Sequence, residues 1–185
     1  ICEGQQYDME FEQRENVLPE EYIEMIRLKT AVLLGCSLQT GAIIGGASEE
    51  DAAHLYNFGI NIGLAFQLKD DLLDVYGNSE TFGKQIGGDI LCNKNTYLLI
   101  HARKTATGEI QKKLNFWLNE SNPNPEKKIR EVTEIYNQLE VKKICEDAMD
   151  IYYGKAIASL EKVSVSSNKK QELRKLAEKL MFRND

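Results

Sequence analysis

Apolar residues recur along most of the chain at spacings of three and four, the period of an α-helix. Over residues 19–44 they fall at Tyr22, Ile23, Ile26, Ala31, Val32, Leu34 and Leu38, and Pro19 suits the first turn of such a helix. A second long run follows "GGASEED". Ser48 is a good N-cap there, and Glu49, Glu50 and Asp51 sit where the positive end of the helix dipole favours anions. This run extends over 49–76 and stops at Gly77. A shorter helix over 1–12 precedes the break "ENVLPEE". Further helices are predicted over 96–105, 107–119, 125–139, 140–163 and 167–182, with "NESNPNPEK" as the turn between two of them. Alternation with period two is hard to find. The pattern predicts one all-α domain over 1–185 with no linker. It leaves a glycine-rich connection, "GNSETFGKQIGGDILCNKNT" at 77–96, long enough to expect a function of its own.

Composition narrows the function classes. With 185 residues, 42% hydrophobic and 28% charged, the chain reads as an ordinary soluble domain able to bury a sizeable core. The net charge of −6 argues against a nucleic-acid partner, which wants a basic surface. Lysine pairs at 112–113, 127–128, 142–143 and 169–170 lie among acidic residues and read as solvated helix faces. Cys2, Cys36, Cys92 and Cys145 are scattered, and only His54 and His101 could assist them. Neither a zinc site nor a disulfide framework is supported, which fits a reducing, cytoplasmic setting. "AVLLGC" and "GAIIGG" are too short to span a bilayer, and the first residues carry no signal-peptide pattern. The chain reads as if it starts within a helix. His54 and His101 read as ordinary helix residues, and Phe116, Trp117, Tyr152 and Tyr153 as packing anchors.

The chemistry concentrates in "FQLKDDLLDVYG", residues 66–77. On a helix, Gln67, Asp70, Asp71 and Asp74 fall within about a third of the circumference. Phe66, Leu68, Leu72, Leu73 and Tyr76 fill much of the rest. Carboxylates wrapped in apolar residues need a strong positive partner. An exposed acid stripe is the plainer alternative, but an exposed helix would carry more Lys and Glu around its aspartates. Hard oxygen donors without Cys or His suit Mg²⁺, which is commonly shared between one or two carboxylates and a substrate phosphate. Lys84 and Lys94 follow among glycines, and Lys29 interrupts the apolar run "MIRLKTAVLL". All three are candidate phosphate-binding charges.

The order of these residues resembles the trans-isoprenyl (polyprenyl) diphosphate synthases, nearest to the bacterial short-chain farnesyl/geranylgeranyl-type members. Their second aspartate-rich region reads FQ, then DDxLD, then GKxxGxD, then KxT. Here the matching residues are Phe66, Gln67, Asp70, Asp71, Leu73, Asp74, Gly83, Lys84, Gly87, Asp89, Lys94 and Thr96. Lys29 and Thr30 match the family's KT pair, and Gln5 and Asp8 its GQxxD. The resemblance covers essentially the whole chain and is strongest over 1–97. It implies the isoprenoid synthase fold, a helical bundle around a deep central cavity. It also implies head-to-tail condensation of isopentenyl diphosphate with an allylic diphosphate (dimethylallyl or geranyl), giving a short-chain product such as farnesyl diphosphate. The cofactor implied is Mg²⁺, with Mn²⁺ possible, and the assembly implied is a homodimer. By the same resemblance Asp70, Asp71 and Asp74 are metal ligands, and Lys29, Lys84 and Lys94 hold the diphosphate. Thr30 and Gln67, with Lys29, face the reacting centre, while Gln5, Asp8 and Asp89 form the outer shell.

One departure stands out. The family's earlier aspartate-rich motif, its paired arginines and its homoallylic binding set have no counterpart here. The expectation is therefore the C-terminal portion of a synthase, lacking the N-terminal helices and inactive or incomplete alone, with apolar helix faces left uncovered. The alternative is a non-catalytic partner subunit of a heteromeric synthase.

Overall fold

Why the chain folds around one helix is visible in that helix's own residues. Helix α4, Glu49–Tyr76, buries Phe58, Ile62, Leu64, Ala65, Leu68, Leu72 and Val75. Such a spread of apolar positions needs neighbours on several sides. The computed structural model describes residues 1–77 and 86–182. Before α4 come α1 (Cys2–Phe11), α2 (Pro19–Ile26), a π-helical turn (Arg27–Ala31) and α3 (Val32–Ile44). After it come the single turn α5 (Gly88–Leu91), then α6 (Tyr97–Thr105), α7 (Gly108–Asn119), α8 (Pro125–Gln138), α9 (Val141–Lys162) and α10 (Ser167–Phe182). Among the described residues there is no strand, and the arrangement is all-α, as the helical periodicity predicts. Helix α4 packs most extensively on α9 and α3. Buried apolar residues from α1 through α10 join in one core.

Local signals set the ends. Ser48 caps α4 by accepting the Asp51 N–H at 3.1 Å, and Asn124 caps α8 by accepting the Lys127 N–H at 2.9 Å. Pro19 and Pro125 occupy the first turns of α2 and α8. The Glu21 carboxylate accepts the Leu18 N–H at 2.9 Å, which closes the start of α2. At the far side, buried Asp51 accepts from both the N–H (2.7 Å) and the hydroxyl (2.5 Å) of Ser164. That bond pair ties the start of α4 to the end of α9.

Helices α3 and α4 approach closely because small residues face each other. A Cβ on Gly59 would lie 2.6 Å from the Gly35 Cα and 2.7 Å from its N. Of the α3 residues only Gly35 is buried. Leu33, Ile43 and Ile44 are 56%, 61% and 82% exposed, so this helix is apolar on every side and covered on one. No helix among the described residues is long and apolar enough to cross a membrane. The four cysteines are free.

The reading of the lysine pairs as solvated faces needs correction at two positions. Lys128 is 2% exposed and donates to the Leu91 carbonyl (3.2 Å) and to Asn93 Oδ1 (2.7 Å). Lys170 is buried and donates to the Glu161 carbonyl at 2.7 Å. Both turn inward because fixed backbone carbonyls at chain reversals offer acceptors there. Trp117 is buried, whereas neighbouring Phe116 is mostly exposed. His54 and His101 are helix residues, at partial exposure.

Candidate active site

The π turn is where the site begins. Its wider ring carries Lys29 and Thr30 in Arg27–Ala31, and it packs against α1, α2 and α4. Single π turns inside α-helices are concentrated at functional positions. Lys29 Nζ meets Asp8 Oδ2 of α1 at 2.6 Å, with the pair part-buried. Thr30 Oγ1 donates to Gln67 Oε1 of α4 at 3.3 Å. Sequence positions up to 37 residues apart thus meet at one place. Gln5 lies on the same helix as Asp8 with its side chain exposed.

The aspartates of α4 separate once their surroundings are seen. Asp70 is half-buried, one residue from Asp71. Asp74 is half-buried too, and its Oδ2 accepts the Asp89 N–H at 3.0 Å. Burial and then the nearby Asp89 charge raise the Asp74 carboxyl above its ordinary range, against the pull of that N–H. Asp71 goes inward. It is 2% exposed, and its Oδ2 accepts both the Tyr22 hydroxyl (2.6 Å) and the Tyr97 N–H (3.0 Å). Burial pushes the Asp71 carboxyl up to about 7, although both hydrogen bonds oppose the rise.

The segment after residue 85 completes the arrangement. The Gly87 N–H donates to the Asp74 carbonyl at 2.6 Å, and Gly87 adopts φ +81° at the start of α5. A Cβ there would meet Ile129 side-chain atoms at 2.7 Å, so both backbone and space require glycine. Asp89 then meets Lys94 Nζ at 3.5 Å. Burial lowers the Lys94 ammonium's pKa, but the carboxylates of Asp89, Asp71 and Asp8 together outweigh it and raise the value. Thr96 caps α6 by accepting the Leu99 N–H at 3.3 Å. Lys84 and Gly83 lie outside the described residues.

Three residues escaped the sequence reading. Tyr22 looked like one core position among several. Asn95 is buried, donates to the Phe11 (2.5 Å) and Arg14 (2.9 Å) carbonyls, and accepts from Arg103 at 2.7 Å. It ties the Lys94 segment to the end of α1. Lys128 holds the same segment from α8 through Leu91 and Asn93. No residue-type signal marks any of the three, since their partners are remote in sequence.

A cavity of about 1080 Å³ borders this region. Asp89, Lys94, Asn95, Arg14 and Arg103 line it, but Asp70, Lys29 and Thr30 do not, so it adjoins the cluster and does not contain it. Among the described residues no group of three Asp, Glu, His or Cys side chains is arranged to enclose a metal ion. The donors available are hard oxygens on one helix, with two lysines nearby. Such a set fits a cation shared with a phosphate better than an all-protein cage.

Comparison with known proteins bears on the family and the fold. The family model for polyprenyl synthetase matches residues 1–138. A short chain isoprenyl diphosphate synthase of Methanothermobacter thermautotrophicus is 42% identical over 138 residues, covering 75% of this chain and 42% of the relative. A geranylgeranyl diphosphate synthase of Saccharolobus solfataricus is 38% identical over 170 residues, covering 90% of this chain and 50% of the relative. A crystal structure of a geranylgeranyl pyrophosphate synthase superposes with a TM-score of 0.90 at 41% identity, over 100% of this chain and 57% of that one. The chain thus spans about half the length of the curated relatives it matches. Helices, motif order and family match coincide, and the chain belongs to the polyprenyl synthetase family.

Proposed function

We propose that this chain forms the diphosphate-gripping half of a prenyl diphosphate synthase, which joins isopentenyl diphosphate to an allylic diphosphate head to tail. One observation carries the reading. Each candidate phosphate-binding lysine among the described residues is already paired with a carboxylate of the predicted outer shell, Lys29 with Asp8 and Lys94 with Asp89. A diphosphate can take over both lysines, because the existing partners hold them in place and neutralise them beforehand.

In this reading Asp70 and Asp74 supply oxygen donors for Mg²⁺. The metal, when bound, puts fixed positive charge beside the leaving diphosphate. Lys29 and Lys94 add charge on the same group, and Lys84 is proposed to do likewise. As the allylic C–O bond breaks, negative charge grows on the diphosphate, where these cations lower the barrier. Thr30 and Gln67 present oxygens able to steady the positive carbon left behind. The isopentenyl double bond attacks that carbon, and a proton then leaves the new chain. Gln5, Asp8 and Asp89 keep the outer-shell role.

A short-chain isoprenyl diphosphate is the proposed product. The relatives named above support geranylgeranyl diphosphate more than farnesyl diphosphate, which rests on the motif resemblance alone. A homodimer and a cytoplasmic setting complete the proposal. The test is Mg²⁺-dependent incorporation of labelled isopentenyl diphosphate into dimethylallyl and geranyl primers, with product length read by chromatography. In a complete parent enzyme Asp70→Ala should lower turnover at least about a hundredfold by removing a metal donor from the ionisation step. Undiminished turnover in that variant refutes the metal assignment. A chain with no turnover that still binds Mg²⁺-diphosphate is an incomplete synthase or the non-catalytic partner subunit.

A further inference from the structure

A single carboxylate oxygen joins three helices beside the proposed site. Asp71 Oδ2 on α4 accepts from the Tyr22 hydroxyl of α2 and from the Tyr97 N–H, the first amide of α6. That amide has no partner within its own helix, since the first N–H groups of any helix lack one. Thr96 satisfies the Leu99 N–H, and Asp71 reaches across from another helix to satisfy Tyr97.

A site residue lies on, or next in the chain to, each of the three helices. Asp70 precedes Asp71 on α4. Lys94 lies three positions before Tyr97, in a tight turn closed by the Thr96 N–H on the Lys94 carbonyl (2.8 Å), and its own N–H donates to the Asp89 carbonyl (3.0 Å). Lys29 follows Tyr22 on the continuous run of α2 and the π turn. Displacing the junction would therefore shift the two lysines relative to Asp70.

We propose that Tyr22 and Asp71 are positioning residues that set Lys94 and Lys29 against Asp70, and that Asp71 holds this junction in place of binding the metal. The inference rests on the diphosphate reading above. Asp71 has little freedom to do otherwise. The side chain is 2% exposed, so Oδ1 is not open to a bound cation, and turning Oδ2 toward one would leave the buried Tyr22 hydroxyl and the Tyr97 amide unpartnered together, at substantial cost.

The experiment titrates the chain with Mg²⁺ and inorganic diphosphate by calorimetry, alongside amide exchange by NMR. Asp71→Asn keeps an oxygen acceptor for both donors but loses the charge. Its diphosphate affinity should stay within about threefold of the parent, and its Mg²⁺ requirement should be unchanged. Tyr22→Phe removes one arm without touching a carboxylate. It should weaken diphosphate binding about tenfold, the scale of one lost bond to a charged group, with unaltered Mg²⁺ stoichiometry and faster exchange at Tyr97. Asp70→Asn is the comparison and should abolish the Mg²⁺ requirement. Loss of the Mg²⁺ requirement in Asp71→Asn would make Asp71 a ligand and overturn the proposal. Unchanged affinity and unchanged Tyr97 exchange in Tyr22→Phe would overturn it too. Failure of the parent to bind diphosphate at all is a different result, refuting the site reading and the positioning role with it.

Discussion

Gly59→Ala sets two well-known effects against each other at one atom. Alanine is favoured over glycine inside a helix by about 1 kcal/mol. Against this, the new Cβ would lie 2.6 Å from Gly35 Cα, 2.7 Å from Gly35 N and 2.9 Å from Leu34 C. Carbon atoms rest at about 3.5–4.0 Å, so α3 must retreat by roughly 1 Å. All three obstacles are backbone atoms, and no flexible side chain can swing aside. Overpacking of this kind costs about 1–3 kcal/mol, with more where the backbone itself must shift. A gap of 1 Å also forfeits up to about half of each contact's attraction along the seam. The steric effect wins, and the net loss expected is about 1–2 kcal/mol. Gly154 is the control. It lies mid-helix in α9, and nothing stands within 4 Å of a Cβ there. Gly154→Ala should stabilise by about 0.5–1 kcal/mol. The two substitutions are chemically identical and should move the urea midpoint in opposite directions. The Gly59 change should also weaken diphosphate binding, because α3 continues from the turn that sets Thr30 against Gln67. A midpoint for Gly59→Ala at or above the parent's would refute the close-approach argument.

Two further outcomes are expected. Asp71, raised from 3.8 to about 7 by burial, keeps a proton in the folded chain that the unfolded chain has lost. Its contribution to stability is therefore fully present below about pH 4 and is lost as pH rises towards 7, by at most about 1.4 kcal/mol per pH unit. Urea midpoints measured in chelator at pH 5 and 7 should show this fall in the parent, and Asp71→Asn should show a smaller one, since the raised Asp74 carboxyl remains; equal pH dependence in the two proteins would sink the assignment. Asp8→Asn removes the charge that holds Lys29. Inorganic diphosphate should then bind about two- to fivefold less tightly without Mg²⁺, as Lys29 is no longer held in place; tighter binding would mean that Asp8 competes for Lys29 and would refute its positioning role.

Much of the helical frame was legible because its signals are local. Ser48, Pro19, Pro125 and Gly77 act through neighbours within a turn, so their positions along the chain suffice to mark the ends. The π turn was not legible. The run "RLKTA" differs from an ordinary helical stretch in nothing but its backbone, and that follows from packing against α1, α2 and α4. The aspartate stripe was half legible. Helical spacing correctly places Asp70, Asp71 and Asp74 on one side of α4, but what each meets is decided by Tyr22, 49 positions away from Asp71, and Tyr97, 26 away. Lys128 shows the same limit from the opposite direction: a lysine among charges reads as solvated until a folded turn presents a carbonyl to it.

The π turn also constrains how the sequence can change length. A five-residue repeat in place of a four-residue one is, in effect, a single inserted position. Removing one residue from Arg27–Ala31 would restore an unbroken α-helix over Pro19–Ile44, an outcome locally more regular than the native one. The fifth residue of the wide turn is the one removed, so everything beyond the deletion would keep its phase, and Gly35 would still face Gly59. A one-residue deletion elsewhere in the same rod would instead turn all that follows by about 100° about the axis. A deletion within Arg27–Ala31 should thus be better tolerated by the fold than one in α3, while it removes the wide ring that carries Lys29 and Thr30. The irregularity serves the polar surface of the rod that presents Lys29 and Thr30, and the narrow surface that admits α4 does not depend on it.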